Sequence, residues 1–300
     1  MRVLAIYTGG LPGKNIVEQL QHYFELQLVA TVDIHLFSSI TGGDVPYSLS
    51  SDLTQYIYDH YNDYDGFVVI HSIDNVIYSA NLTAFQFSNL GKPIVFTGAT
   101  LSEDFFSFPG HFSNTEQSMY REMSLRTSLV TAVQLATQNT SDVSITYGSR
   151  IVKAVRAWEN FTTYNELDLA SIRFGIEVTT AARPRNDQPP ILRLGFDTNV
   201  YMVPRQPEVI IPTPNTYRAI LMYAHQDRAL PSQFNMPTDT PVFLLGGLGH
   251  QKLPNNVFAL PPVTPVTALS KLMVGCKHFP TTPELVDYMQ HNINGEGGIV

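Results

Sequence analysis

The sequence predicts an α/β fold: a doubly wound, mainly parallel sheet followed by a smaller α/β C-terminal domain. Two observations carry that expectation. Short apolar runs alternate with stretches of helical periodicity from residue 3 to residue 147, the pattern of parallel strands joined by crossover helices. The first run, Val3-Leu4-Ala5-Ile6-Tyr7, passes directly into the glycine turn Thr8-Gly9-Gly10. Open α/β sheets hold their ligands at such carboxyl ends of strands.

Taken in order, a strand at 3–7 precedes a helix at about 13–26, and a strand at 28–36 precedes a helix at about 48–61. A strand at 66–71 precedes a helix at about 76–89, a strand at 93–97 precedes a helix at about 115–138, and a strand at 143–147 follows. Between Ile176 and Pro214 the chain is Pro-rich and aperiodic, which reads as an exposed connector. The expected division is therefore 1–180, a connector at 181–212, and 213–300. The last part carries the apolar runs Ala219–Tyr223 and Val242–Gly247 and a closing helix near 281–291.

Composition removes several function classes. Three hundred residues at 44% hydrophobic are long enough for two cores. A formal net charge of -8 with no basic stripe argues against nucleic acid, whose phosphates require clustered cations. No run approaches the ~20 apolar residues of a membrane span, and the apolar N-terminus is too short for a signal peptide, so a cytoplasmic protein is expected. Cys276 is the single cysteine and the histidines are scattered, so neither a disulfide nor a metal or other cofactor is expected. Gly13-Lys14 resembles the end of a phosphate loop, but Thr8 and Asn15 stand where that motif needs glycine and a hydroxyl.

The stretch Asp63-Tyr64-Asp65-Gly66-Phe67-Val68-Val69-Ile70-His71-Ser72-Ile73-Asp74-Asn75, followed by Leu90-Gly91-Lys92-Pro93-Ile94-Val95-Phe96-Thr97-Gly98, resembles the bacterial-type, cytoplasmic L-asparaginases. Their matching stretches read DYDGFVVxHGTDT and LGKPVxxTG. Ile6-Tyr7-Thr8-Gly9-Gly10 is similar to the family's Y-T-G-G-T-I, and Thr240–Leu245 and Thr281–Leu285 resemble its last strand and closing helix. The resemblance implies amide hydrolysis by a threonine nucleophile, assisted by a Thr-Lys-Asp trio. Position by position, the nucleophile falls on Leu11 and the second threonine on Ile73, while Asp74 is kept. The lysine falls on Glu159 when Arg150 and Arg156 are aligned on the family's two arginines. Leucine and isoleucine offer no lone pair, and a glutamate has the wrong sign to lower a neighbour's pKa. The reading is a catalytically inactive protein, a pseudoenzyme kept as a structural, assembly or binding scaffold.

The same resemblance places Thr8, Gly9, Gly10, Ser38, Ser39, Ser72 and Asp74 around a substrate-like pocket, in which a small amino acid would bind without reacting. Ser38 and Ser39 match the family's D-S-S-N-M, although Phe37 and Ile40 replace its Asp and Asn. Should Glu159 lie beside Asp74, two carboxylates would meet there. The family's tyrosine-bearing lid has no room here, because Gly13–Glu18 runs almost directly into a helix, and Tyr23 reads as a surface or packing residue. Two alternatives compete with the inactive reading. One is an amidohydrolase using Thr8 or Ser72 with Lys14 or His71 as base; the other is a small amino-acid sensor. The resemblance also implies a homo-oligomer, dimer or tetramer. Phe105, Phe106, Phe108 and Phe112, clustered in one short loop, are the candidate contact with another copy or a protein partner.

Overall fold

The computed structural model describes residues 1–9, 16–40, 45–72, 74–98, 114–147, 150–157, 170–172, 176–178, 182–203, 216–224, 239–246 and 253–297. Strand β1 (Arg2–Gly9) is followed by helices α1 (Ile16–Gln21) and α2 (Phe24–Val29), then β2 (Thr31–Ile40), α3 (Tyr47–Asp59) and β3 (Gly66–Ile70). Helix α4 (Val76–Gln86), the two-residue β4 (Phe87–Ser88), β5 (Ile94–Thr97), α5 (Asn114–Ala136) and β6 (Val143–Tyr147) come next. Strands β7 (Arg150–Lys153), β8 (Ala170–Ile172) and β9 (Ile176–Val178) complete one eight-stranded sheet ordered β2-β1-β3-β5-β6-β7-β8-β9. It is parallel from β2 to β6 and antiparallel from β6 to β9.

The central strands are buried on both faces, which is why they read as unbroken apolar runs. Alternation then divides them between two cores. Leu4, Ile6, Phe67, Val69, Ile94 and Phe96 pack with residues of α3 and α4, whereas Val3, Ala5, Tyr7, Val68, Ile70 and Val95 pack with α2 and α5. The helix expected at 13–26 is broken in two. The Glu18 carbonyl accepts from the His22 ring at 2.6 Å and Tyr23 turns inward, 6% exposed, into the second core. Because α2 runs on to Val29, the next strand starts at Thr31 rather than 28.

A second, wholly parallel sheet contains β11 (Val200–Met202), β12 (Ala219–Tyr223), β13 (Val242–Leu245) and β14 (Val257–Ala259). Helices α6 (Pro265–His278) and α7 (Thr282–Gln290) follow. Thr264 caps α6 by accepting from the Thr267 amide, with Pro at the first turn, and Thr281 with Glu284 forms a capping box on α7.

The Pro-rich stretch does not lie free on the surface. Strand β10 (Ile191–Leu192) pairs with β4, and β11, inside the expected connector, is already part of the second sheet. Arg183 is tied to Asp142 by its amide and its Nε, both at 2.8 Å, and Arg185 reaches the Ala136 carbonyl at the end of α5 at 2.6 Å. No helix among the described residues is long and apolar enough to cross a membrane.

Candidate functional site

The sheet order changes direction at β1, with β2 on one side and β3 on the other, which in open α/β sheets is the place for a ligand, and here β1 and β2 come close at their carboxyl ends. Gly9 makes it possible. Its φ is +121°, and a Cβ there would lie 1.8 Å from the Ile40 carbonyl oxygen, so β1 approaches β2 this closely only through glycine. The pairing register slips at the same point, between Tyr7 and Gly9.

The expected pocket residues divide into engaged and open groups. Thr8 is fully buried and its Oγ1 donates to the Ile70 carbonyl at 3.0 Å. His71, 3% exposed, donates its amide to the Thr97 carbonyl at 2.8 Å and its Nδ1 to the Ser72 carbonyl at 2.7 Å. Burial holds its imidazole below the usual range, in the neutral form. Ser72, 4% exposed, donates Oγ to Asp74 Oδ2 at 3.3 Å, and Asp74 itself is exposed. Ser38 Oγ accepts from the Ile40 amide at 3.3 Å, and Ser39 faces solvent. The fold thus gathers Thr8, Gly9, Ser38, Ser39, Ser72 and Asp74 at one end of the sheet. Leu11, Ile73, Glu159, Gly10, Lys14 and Trp158 lie outside the described residues, as do Phe105, Phe106, Phe108 and Phe112.

Among the described residues, which do not include Lys14, neither hydroxyl considered as a relocated nucleophile meets a nitrogen base. Thr8 is spent on a main-chain carbonyl, and Ser72 faces a carboxylate while the Nδ1 proton of His71 is held by a carbonyl. A nucleophile needs its base within hydrogen-bond reach.

Sequence reasoning missed a polar framework beside β6 and β7. Asp142, 1% exposed, pairs Oδ1 with Lys153 Nζ at 3.0 Å and with Arg183 Nε at 2.8 Å. Arg156, which closes the 3₁₀ turn Ala154–Arg156, donates Nε to the Gly295 carbonyl at 2.7 Å and Nη2 to that of Gly297. Lys271 Nζ lies 2.7 Å from Glu296 Oε1, and Asn294 Nδ2 donates to the Ala84 carbonyl at 2.8 Å. Residues 291–297 therefore lie between α6 and the first sheet, and the backbone leading to Glu159 is anchored by them. The signal in the sequence was a lysine and an aspartate in or beside otherwise apolar strands. A cavity of about 150 Å³ opens one helical turn beyond Asp74, between Tyr78 of α4, Met202 and Tyr223 at the ends of β11 and β12, and the first turn of α6. No cluster of three or more His, Cys, Asp or Glu among the described residues is arranged to hold a metal ion.

These features define an open α/β protein with its candidate site residues gathered at the sheet's reversal point. Residues 3–178 match the family described as asparaginase, N-terminal, and the chain belongs to the asparaginase family. It is 33% identical over 114 residues to L-asparaginase 1 of Escherichia coli, an alignment covering 33% of this chain and 34% of that protein. The chain thus spans about a third of the length of this relative. It is 24% identical over 272 residues to the L-asparaginase of Thermococcus kodakarensis, covering 80% of this chain and 78% of that one. The fold is that of solved L-asparaginases. The Thermococcus kodakarensis structure superposes with a TM-score of 0.75 at 17% identity over 100% of both chains, and L-asparaginase I of Vibrio cholerae with 0.76 at 17% over 99% of both.

Proposed function

We propose that this asparaginase-family chain has lost amide hydrolysis and acts in the cytoplasm as a binding or assembly scaffold. What supports the reading is that the family resemblance sets Leu11, Ile73 and Glu159 of this sequence at the positions of nucleophile, second threonine and lysine, three chemical groups at once. Loss of a nucleophile alone typically costs on the order of 10⁶ in turnover, and the unit is then already broken. The engaged hydroxyls of Thr8 and Ser72 support the same reading, since among the described residues each donates to an oxygen acceptor and not to a nitrogen base. The test is ammonia release from asparagine and glutamine by the purified chain. Release at background is expected, and turnover of about 1 per second, an ordinary enzymatic rate, would overturn the proposal. A second reading, a small amino-acid sensor, is supported by Ser38, Ser39, Ser72 and Asp74 gathering at one end of the sheet, and a thermal-shift screen against amino acids is the discriminating assay.

A further inference from the structure

Around the 3₁₀ turn Ala154–Arg156, buried cations outnumber buried carboxylates among the described residues. Lys271 and Glu296 pair at 2.7 Å and cancel. Lys153 and Arg156 are left with one buried carboxylate, Asp142, whose Oδ1 is shared by Lys153 at 3.0 Å and Arg183 at 2.8 Å. Arg156, 7% exposed, forms no ion pair among the described residues. Its Nε donates to the Gly295 carbonyl at 2.7 Å and its Nη2 to that of Gly297, while Nη1 is sealed from solvent and meets no acceptor. Carbonyls answer hydrogen bonds but carry no net charge. Burying a charge without a counter-charge is heavily penalised, and a guanidinium stays protonated in proteins, so Arg156 cannot escape by shedding its proton.

Lys153 and Arg156 are neighbours across one residue. A Cβ on Gly295 would lie 2.9 Å from Lys153 Nζ, and the carbonyl of the same glycine receives Arg156 Nε. The two cations feel each other: burial first, then the charges of Arg183 and Arg156, hold the Lys153 ammonium below its usual range against the pull of Asp142. Glu296 gives no relief, because Oε1 accepts from Lys271 Nζ at 2.7 Å and from the Ile293 amide at 3.1 Å, and Oε2 from the Asn294 amide at 2.7 Å. Among the described residues, one unit of buried positive charge therefore stays unmatched where this turn meets the C-terminal segment.

We propose that Arg156 Nη1 holds a monovalent inorganic anion of chloride size, bound inside the fold between the turn Ala154–Arg156 and residues 295–297. Two features select that class. The unmatched charge is a single one, so a monovalent ion balances it and a divalent one would leave a negative excess. Nη1 is also shut off from solvent, and protein interiors are packed to crystal-like density, which suits a one-atom ion better than a tetrahedral oxyanion. A guanidinium is more weakly hydrated than an ammonium, so of the two cations Arg156 is the better partner for a buried anion. The ion would tie the end of β7 to the C-terminal segment, and stability would then depend on its concentration.

Thermal unfolding of the full chain at fixed ionic strength tests the site, with sodium chloride exchanged for sodium gluconate. Chloride at roughly 10–100 times its dissociation constant is expected to raise the melting midpoint by about 3–8 °C. Arg156→Gln keeps amide donors and loses the charge, and its midpoint is expected to be the same in both salts. Arg2→Gln removes a cation from the exposed pair with Asp33 and is expected to keep the full chloride response. A measurement on the native chain stands beside the variants, should Arg156→Gln fail to fold. Crystals soaked in sodium bromide are expected to show an anomalous peak within hydrogen-bond reach of Arg156 Nη1. Equal midpoints of the native chain in the two salts would overturn the proposal, as would a chloride response in Arg156→Gln as large as the native one. Loss of the response in Arg2→Gln would reveal a general surface effect and overturn it too. So would bromide-soaked crystals with no peak at Nη1.

Discussion

Replacing Asp142 by asparagine keeps the size of the side chain and removes its charge at the centre of the polar framework. Three consequences can be worked from the geometry. Lys153, 4% exposed, loses the anion at 3.0 Å that offsets its burial, and Arg183 Nε loses its partner at 2.8 Å. The new amide group also brings N–H donors among cationic donors. Burial already holds the Lys153 ammonium below its usual pKa against the pull of Asp142, which marks how heavily the charged form depends on that carboxylate. Removing one partner of a buried pair typically costs about 3–5 kcal/mol. At roughly 2–3 °C per kcal/mol for a chain of this size, the melting midpoint is expected to fall by about 6–15 °C. Urea and thermal unfolding followed by circular dichroism measure it. The neutral pair Asp142→Leu with Lys153→Met should recover part of the loss. A single Asp142→Asn variant that loses less than about 1 kcal/mol would mean that water reaches Lys153, and the reasoning would fail.

Leu11→Thr alone is expected to leave ammonia release at background, because the missing groups act as a unit. Adding Ile73→Thr and Glu159→Lys should recover little, and robust activity from the single variant would show the positions to be misassigned. His71 gives a pH dependence of definite sign. Burial places its folded pKa below the unfolded 6.5, so the unfolded chain binds more protons between those values. Its contribution to stability is complete above about pH 6.5 and is lost as the pH falls through the folded pKa. Urea unfolding at several pH values from neutral downward should give a steeper loss for the native chain than for His71→Gln, and equal slopes would refute it.

Much of the first sheet was legible because it is buried on both faces. Runs such as Phe67–Ile70 and Ile94–Phe96 have no polar alternation to confuse with a helix, and the positive φ at position 9 falls on a residue the sequence shows to be glycine. The break at His22 was not legible, since it rests on a side chain taking a main-chain acceptor. Helix α6 was overlooked although Thr264-Pro265 is a regular start signal, with the hydroxyl and the proline where capping needs them. The Pro-rich stretch misled for a different reason. Its arginines look like solvated surface until Asp142 and the Ala136 carbonyl, more than 40 positions away in the chain, are brought against them. Within the site, local sequence identified Thr8, Ser72 and Asp74. Which hydroxyl faced which acceptor depended on the pairing of β1 with β3, which no local pattern contains.

The segment 291–297 sets an order of events during synthesis. Arg156 and Lys271 find acceptors at Gly295, Gly297 and Glu296, and Gly295, with φ +77°, passes so close to Lys153 Nζ that a Cβ would lie 2.9 Å from it. Every strand of both sheets leaves the ribosome before those acceptors do. A nascent chain ending before Ile293 can pair its strands, but Arg156 lacks the Gly295 and Gly297 carbonyls and Lys271 has the Met289 and His291 carbonyls without the Glu296 carboxylate, and burying a charge without its counter-charge or acceptors costs several kcal/mol. Closure of the first sheet against α6 thus waits until residues 293–297 have left the ribosome, and in shorter ribosome-bound intermediates that face stays wet.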